Sequence, residues 1–109
     1  MFRTTLRSSL ALAAGLAIST VWLQAASHVV TQKDRVFAPG AVTVKVGDTL
    51  SFKNDDDVTH NAFSTSKGNE FNAKAQTPGS TSEVVFKTRG KVAVKCAFHP
   101  GMSLAVTVE

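Results

Sequence analysis

The sequence predicts an all-β protein, a sandwich or barrel of seven or eight short strands. Three observations support this prediction. Short segments in which apolar residues alternate with polar ones recur throughout the region after residue 26. Turn-forming residues, mainly glycine and proline, separate these segments. The same region contains neither a long segment of helical periodicity nor an internal repeat, so a second domain is not expected.

The strands are predicted in order along the chain. The first covers Val29–Phe37, and Gly47-Asp48 separates two later strands as a two-residue hairpin turn. Residues 58–77 are less regular, and the segment THNAFS is the best strand candidate there. The faces expected to point into the core are, in sequence, Val42 with Val44 and Val46; Leu50 with Phe52; Val84 with Phe86; Val92 with Val94 and Cys96; and Leu104 with Val106 and Val108.

Residues 1–26 are predicted to form a secretory signal peptide. Arg3 and Arg7 precede an apolar run, Leu10–Leu23, and small residues follow at Ala25–Ser27. The apolar run is shorter than the roughly 20 residues that a membrane span needs. We therefore expect cleavage rather than an uncleaved anchor, a periplasmic mature protein, and no stable membrane insertion of that mature form.

Residues 27–109 then form one small domain. The chain contains 12 Lys and Arg against 8 Asp and Glu, but two of the arginines lie in the predicted signal peptide. The remaining charges are interspersed without a basic stripe, which argues against nucleic-acid binding. The single cysteine cannot form an internal disulfide. A bound metal is therefore a candidate source of stability for such a small core.

The segment KCAFHPGM concentrates the residues that are most able to bind a metal. Alternation places Cys96 on the core face at the end of a strand, and His99 and Met102 follow around a turn at Pro100-Gly101. Thiolate and thioether are soft donors, so together with imidazole they favour copper bound by two histidines and a cysteine, with a weak axial methionine. The second histidine must come from elsewhere, and the segment DDVTHNAF supplies His60.

Each of these residues also has a purely structural interpretation. A single buried cysteine such as Cys96 is usually a small apolar core residue. Met102 alone would most often fill the core, and His60 alone would be a hydrogen-bonded strand histidine. A ligand set is favoured because the region after residue 26 has one cysteine and one methionine, and both fall within one seven-residue segment with a histidine between them. A structural zinc site could use the same cysteine and histidines, although methionine is a poor zinc donor.

These motifs resemble those of the cupredoxins, the small blue copper proteins that include plastocyanin, pseudoazurin and amicyanin. The resemblance covers nearly all of the region after residue 26, and the short loop from Cys96 to Met102 is similar to that of amicyanin. The other matching positions are Phe37 and Pro39, the valine-rich segment Val42–Val46, Gly47–Thr49, Asn54, Asp56, and His60-Asn61.

The resemblance implies a Greek-key β-sandwich with one type 1 copper site. It implies that the copper ligands are His60, Cys96, His99 and Met102. It also implies that the side chain of Asn61 ties together the two segments that carry the ligands, and so fixes their geometry.

Two positions depart from the family pattern. Ala97 follows the cysteine where the family usually has serine or threonine, and Phe98 stands where many members have proline. These differences affect the expected redox potential rather than the identity of the metal. The acidic run Asp55–Asp57 lacks the spacing and the glycine of a calcium-binding EF-hand loop. We interpret it as a solvated turn.

The resemblance also implies a function, which is to carry single electrons between transient redox protein partners by cycling copper between Cu(I) and Cu(II). We expect a monomer. The alternative is a periplasmic copper carrier or chaperone without a role in electron transfer. An enzyme is not expected, because copper oxidases and nitrite reductases need further histidines and this chain has only three. The third, His28, could form a second, weak copper site if cleavage occurs after Ala25.

Overall fold

The structure is a computed structural model that describes Gly15 and residues 24–109. In this described part of the chain, nine β-strands form two sheets around one core, which confirms the all-β prediction. No helix within the described ranges is long and apolar enough to cross a membrane. Apart from Gly15 and residues 24–26, the predicted signal peptide falls outside the described residues, so its assignment stays a prediction.

The strands are short and follow one another along the described chain. Their bounds are β1 Ser27–Lys33, β2 Val36–Ala38, β3 Ala41–Val44, β4 Thr49–Asn54, β5 Phe63–Ser64, β6 Phe71–Asn72, β7 Thr81–Val85, β8 Gly90–Lys95 and β9 Ser103–Val108. One sheet has the order β2-β1-β4-β7, and the other has the order β3-β9-β8-β5-β6. β1 pairs in parallel with β4, and β3 pairs in parallel with β9, whereas the other pairs are antiparallel.

The core lies between the two sheets, where alternate side chains of each strand point inward. Phe52 on β4 is fully buried, and its ring centroid lies 6.0 Å from that of Phe37 and 5.9 Å from that of Phe71. Aromatic rings at such separations add to the stabilisation that comes from buried area. The inward faces predicted for β4, β8 and β9 are confirmed, because their members are buried: Leu50, Phe52, Val92, Val94, Leu104, Val106 and Val108.

The predicted first strand is wrong in one respect, because it is a hairpin rather than a single strand. Asp34 and Arg35 form a two-residue turn between β1 and β2, with φ angles of 52° and 57°. A turn with two positive φ angles matches the twist of paired strands, but it normally selects glycine or asparagine. The sequence therefore lacks the usual turn signal at this point.

The predicted Gly47-Asp48 hairpin is also wrong. The two residues do turn the chain, and Gly47 has a φ of 91°, but β3 and β4 belong to different sheets. The Gly47 N–H donates to the Phe86 carbonyl at 2.8 Å instead of closing a strand pair between β3 and β4. Val46 lies in this connection beyond the end of β3 and is exposed, so it does not share the buried face of Val44.

Candidate metal centre

The strand β8 and the turn that follows it carry three of the predicted ligands. Cys96 comes directly after β8 and is buried, as the alternation along that strand predicts. The turn is closed by the Met102 N–H, which donates to the His99 carbonyl at 2.9 Å, and β9 begins at the next residue. Met102 is buried and belongs to the same apolar cluster as Cys96. Phe98 is exposed beside the half-buried His99.

His60 comes from the segment that follows β4, and its side chain is fully buried. Its backbone forms an isolated bridge with Gln76: the His60 N–H donates to the Gln76 carbonyl at 2.9 Å, and the Gln76 N–H donates back at 2.7 Å. The buried Gln76 side chain donates from Nε2 to the Phe52 carbonyl at 3.0 Å. These bonds attach the irregular segment around His60 to strand β4 of the sandwich.

The structure brings together His60, Cys96 and His99. The Nδ1 atoms of the two histidines lie 3.2 Å apart, and Cys96 Sγ lies 3.8 Å from His99 Nδ1. One ligand atom from each of the three residues can be chosen so that all lie within 4.8 Å of one another. A thiol and two imidazoles that converge in this way fit one type 1 copper ion.

Asn61 connects the two segments that carry these donors. Its Oδ1 accepts the Ala97 N–H at 3.1 Å, and its backbone N–H donates to Cys96 Sγ at 3.3 Å. Its Nδ2 donates to Asn72 Oδ1 at 2.9 Å and to the Lys74 carbonyl at 2.8 Å. The side chain is thus held by three partners, and it fixes the cysteine end of the turn relative to the His60 segment.

The interpretation of Asp55–Asp57 as a solvated turn is wrong for its central residue. The Asp56 carboxylate is largely buried, and its Oδ2 lies 2.8 Å from His60 Nε2. This hydrogen bond, together with those from the Arg35 and Asp57 N–H groups, lowers the pKa of Asp56 well below its ordinary value despite the opposing effect of burial. The i, i+4 spacing of Asp56 and His60 is visible in the sequence, but a loop spacing alone does not predict a contact.

A buried polar network supports the His60 segment from the side of the first sheet. Asn54 at the end of β4 donates from Nδ2 to the Val58 carbonyl at 2.9 Å and to the Gln76 carbonyl at 2.8 Å. Gln32 on β1 donates from Nε2 to Gln76 Oε1 at 2.9 Å. The sequence did not predict that Gln32 and Gln76 take part in supporting the candidate site.

His28, the third histidine, is not part of this cluster. It lies in β1, in parallel register with Leu50, and its Nε2 is 2.9 Å from Asp48 Oδ2. The Ala26 and Lys45 N–H groups both donate to the same carboxylate at 2.8 Å. A second copper site built from His28 and the preceding amides would have to break this arrangement, because those amides belong to a paired strand.

The two-sheet fold and the His–Cys–His cluster define a small copper-binding β-sandwich. The model of the family described as copper binding proteins, plastocyanin/azurin family, matches residues 24–109. The chain belongs to this family, as the resemblance predicted.

Three similar proteins place the chain within the family. A methylamine utilization protein MauL from Methylophilus methylotrophus is 34% identical over 77 residues, which cover 68% of this chain and 44% of that protein. A purple cupredoxin from Nitrosopumilus maritimus superposes with a TM-score of 0.68 at 26% identity, covering 75% of this chain and 99% of that one. A reduced amicyanin mutant superposes with a TM-score of 0.69 at 27% identity, covering 76% and 82% respectively. The chain thus spans less than half the length of its MauL relative.

Proposed function

We propose that this protein carries single electrons and that it holds one copper ion with His60, Cys96, His99 and Met102. The observation that supports this most directly is the convergence of the His60, Cys96 and His99 donor atoms within 4.8 Å. Bound copper would supply the one-electron Cu(II)/Cu(I) couple. Met102 is assigned as the fourth ligand because it is a buried soft donor at the end of the turn that carries His99.

The residues around the donors favour electron transfer over metal delivery. Cys96 Sγ accepts a hydrogen bond from the Asn61 N–H, and the His60 ring is hydrogen-bonded to Asp56. Two of the proposed ligands are therefore fixed by the protein itself. A donor set that is held in place changes little between oxidation states, whereas a copper chaperone must release its metal readily. The chaperone alternative therefore receives less support from this site.

An enzymatic role receives no support from the placement of the histidines. Copper oxidases and nitrite reductases require further copper sites, and the chain has three histidines. Two of them lie in the cluster, and His28 is paired with Asp48. We therefore propose a carrier rather than an enzyme.

The partners are proposed to be redox proteins that dock transiently near His99. Phe98, next to His99 in the turn, is 54% exposed and offers an apolar contact. Small interfaces of this kind suit weak, short-lived electron-transfer encounters. We place the protein in the periplasm on the basis of the predicted signal peptide, as a monomer. The similarity to MauL makes methylamine utilisation the first context in which to look for partners.

The decisive experiment is a visible spectrum of the purified protein after loading with Cu(II). We expect an intense blue to purple band, because a Cys96 thiolate bound to Cu(II) gives strong charge transfer. Cyclic voltammetry of the same sample should show a reversible one-electron couple. A colourless Cu(II) complex of the intact protein would contradict the proposed ligand set.

Two variants provide the controls for this experiment. Cys96→Ser should remove the band, because serine supplies no thiolate. Met102→Ala should retain the band and change the potential, because the axial donor is weak and long in sites of this type. A band with a sluggish, irreversible couple and rapidly exchanging copper would favour the chaperone alternative instead.

A further inference from the structure

Asp56 occupies an unusual position for an acidic side chain of a surface turn. Only 8% of its side chain is exposed, and it lies against the fully buried ring of His60. The turn itself is anchored, because the Asp56 N–H donates to Asn54 Oδ1 at 2.9 Å, and Asn54 is buried at the end of β4. This backbone hydrogen bond therefore fixes the position of Asp56 relative to β4.

The hydrogen bonds to the carboxylate determine which atom carries the shared proton. Oδ2 accepts the Arg35 N–H at 3.0 Å, and Oδ1 accepts the Asp57 N–H at 3.1 Å. Two backbone N–H donors favour the ionised carboxylate, which has acceptor sites only. The remaining contact, 2.8 Å from Oδ2 to His60 Nε2, is then a bond donated by the ring, which agrees with the lowered pKa of Asp56.

The protonation of Nε2 leaves Nδ1 of a neutral His60 with its lone pair free. This is the atom that lies 3.2 Å from His99 Nδ1 within the donor cluster. The ring is thus oriented from behind by an anion, and its free nitrogen faces the other donors. A carboxylate in this position fixes the orientation of a metal-binding histidine and increases its basicity.

We propose that Asp56 is a positioning residue which holds His60 by its Nε2–H and biases the site toward Cu(II). The inference rests on the proposed ligand set. A negative charge behind His60 stabilises a doubly charged ion more than a singly charged one. Asp56 therefore lowers the reduction potential. The Arg35 N–H also makes the β1–β2 turn part of this support, since that turn meets the site at Asp56.

The first test uses the metal-free protein and NMR of the His60 ring. We expect a downfield Nε2–H signal that exchanges slowly with water, because this proton is buried in a charged hydrogen bond. The signal should be absent in Asp56→Ala. It should persist in Asp57→Asn, which removes an equal charge from the adjacent, exposed position but keeps its backbone donor. A His60 signal that is the same in Asp56→Ala and in the wild type would overturn the inference.

The second test compares the affinities for Cu(II) and Cu(I). Loss of such a carboxylate partner typically changes metal binding by 10- to 100-fold. We expect Asp56→Asn to lower the ratio of Cu(II) to Cu(I) affinity about tenfold, which corresponds to a potential about 59 mV higher for a one-electron couple. Asp57→Asn should change the ratio much less. Equal changes in the two variants would mean that any nearby negative charge has the same effect on the affinity ratio. That result would contradict a positioning role for Asp56.

The two tests separate this inference from the proposed function. If the wild-type protein gave no intense visible band with Cu(II), the ligand set would be wrong, yet the NMR of the metal-free protein would still decide whether Asp56 holds His60. Asp56→Asn is nearly isosteric with the native residue. It therefore serves for both measurements should Asp56→Ala fail to fold, and its Nε2–H signal should move upfield, because a neutral amide oxygen is a weaker acceptor than a carboxylate.

Discussion

The two ends of strand β4 carry the same pair of side chains in different surroundings. Asp48 precedes the strand and binds His28 Nε2 at 2.9 Å, whereas Asp56 follows it and binds His60 Nε2 at 2.8 Å. Each carboxylate also accepts two backbone N–H groups. The two pairs differ in the burial of the histidine and in what its second ring nitrogen faces. His60 is fully buried and its second nitrogen faces His99, but 29% of the His28 side chain is exposed.

This comparison shows that an aspartate–histidine pair does not by itself make a metal site. At the Asp48 end the pair ties β1 to the connection before β4. At the Asp56 end the same bond orients a ring toward a thiol and a second imidazole. The function of the pair is thus determined by what the free ring nitrogen meets.

The largest expected effect concerns the core that the two ends share. Phe52 lies on β4 between them and is fully buried, so Phe52→Ala should lower the free energy of unfolding by about 3–5 kcal/mol. Urea unfolding followed by NMR of His28 and His60 would measure it. Both signals should disappear in one transition. Separate transitions would mean that the ends are independent units and would remove the basis of the comparison.

The control for this prediction is Val85→Ala. Val85 lies on β7 and is 48% exposed, and it should change the free energy of unfolding by no more than about 0.5 kcal/mol. A loss as large as that of Phe52→Ala would show that exposure does not predict the cost of truncation in this fold.

The next effect distinguishes Asn61, which lies at the metal-binding end, from Asn69, which makes as many side-chain hydrogen bonds elsewhere. Asn61 makes three side-chain hydrogen bonds next to Cys96, and Asn69 makes three to Lys87 and Thr88. Truncation of either to alanine removes three partly buried hydrogen bonds and should cost about 1–3 kcal/mol. Only Asn61→Ala should also shift the visible band of the copper-loaded protein. An equal shift in Asn69→Ala would contradict a local role for Asn61.

The third effect is a pH dependence of the free energy of unfolding that arises from Asp48. Hydrogen bonds from Lys45, His28 and Ala26 lower the pKa of Asp48 from 3.8 to about 2. Because the folded state holds the anion more firmly than the unfolded state does, this stabilisation is complete above about pH 4 and is lost as the pH falls toward 2. Asp48→Asn should be less stable at neutral pH, and its deficit should shrink through this window in urea titrations. A deficit that stays constant down to pH 2 would contradict the assignment.

The smallest effect is expected for His28→Ala. This histidine is partly exposed, so its loss should lower the free energy of unfolding by at most about 1 kcal/mol. The copper content should remain one ion per chain, as measured by elemental analysis after gel filtration. A second, weaker copper that disappears in His28→Ala would show that this end binds metal too, and the contrast between the two ends would fail.

Much of the strand arrangement was predictable because alternation has a direct physical cause. A strand with one buried face must place apolar side chains at every second position, and β4, β8 and β9 do so. The cluster of His60, Cys96 and His99 was predictable for a related reason. Soft donors are scarce in this chain, and their spacing left few alternatives.

The features that the sequence did not predict depend on contacts between distant segments. The turn at Asp34-Arg35 lacks glycine, and its Arg35 N–H meets Asp56, 21 residues later. The local sequence at Gly47-Asp48 is typical of a hairpin turn. However, β3 pairs with β9, so the pairing partner of β3 lies near the far end of the chain. The contact between Asp56 and His60 was missed because a run of three aspartates is normally solvated.

The unequal burial of the three clustered residues has a consequence for the kinetics of metal exchange. His60 is fully buried and Cys96 nearly so, while His99 reaches the surface in a short turn. An ion that approaches from solvent must therefore pass His99 before it meets the other two donors. Loading and loss should then proceed at the rate at which this turn opens, and not at the rate of global unfolding. A chelator should strip the metal at a rate that responds to substitutions at Phe98 and is insensitive to those at Val85.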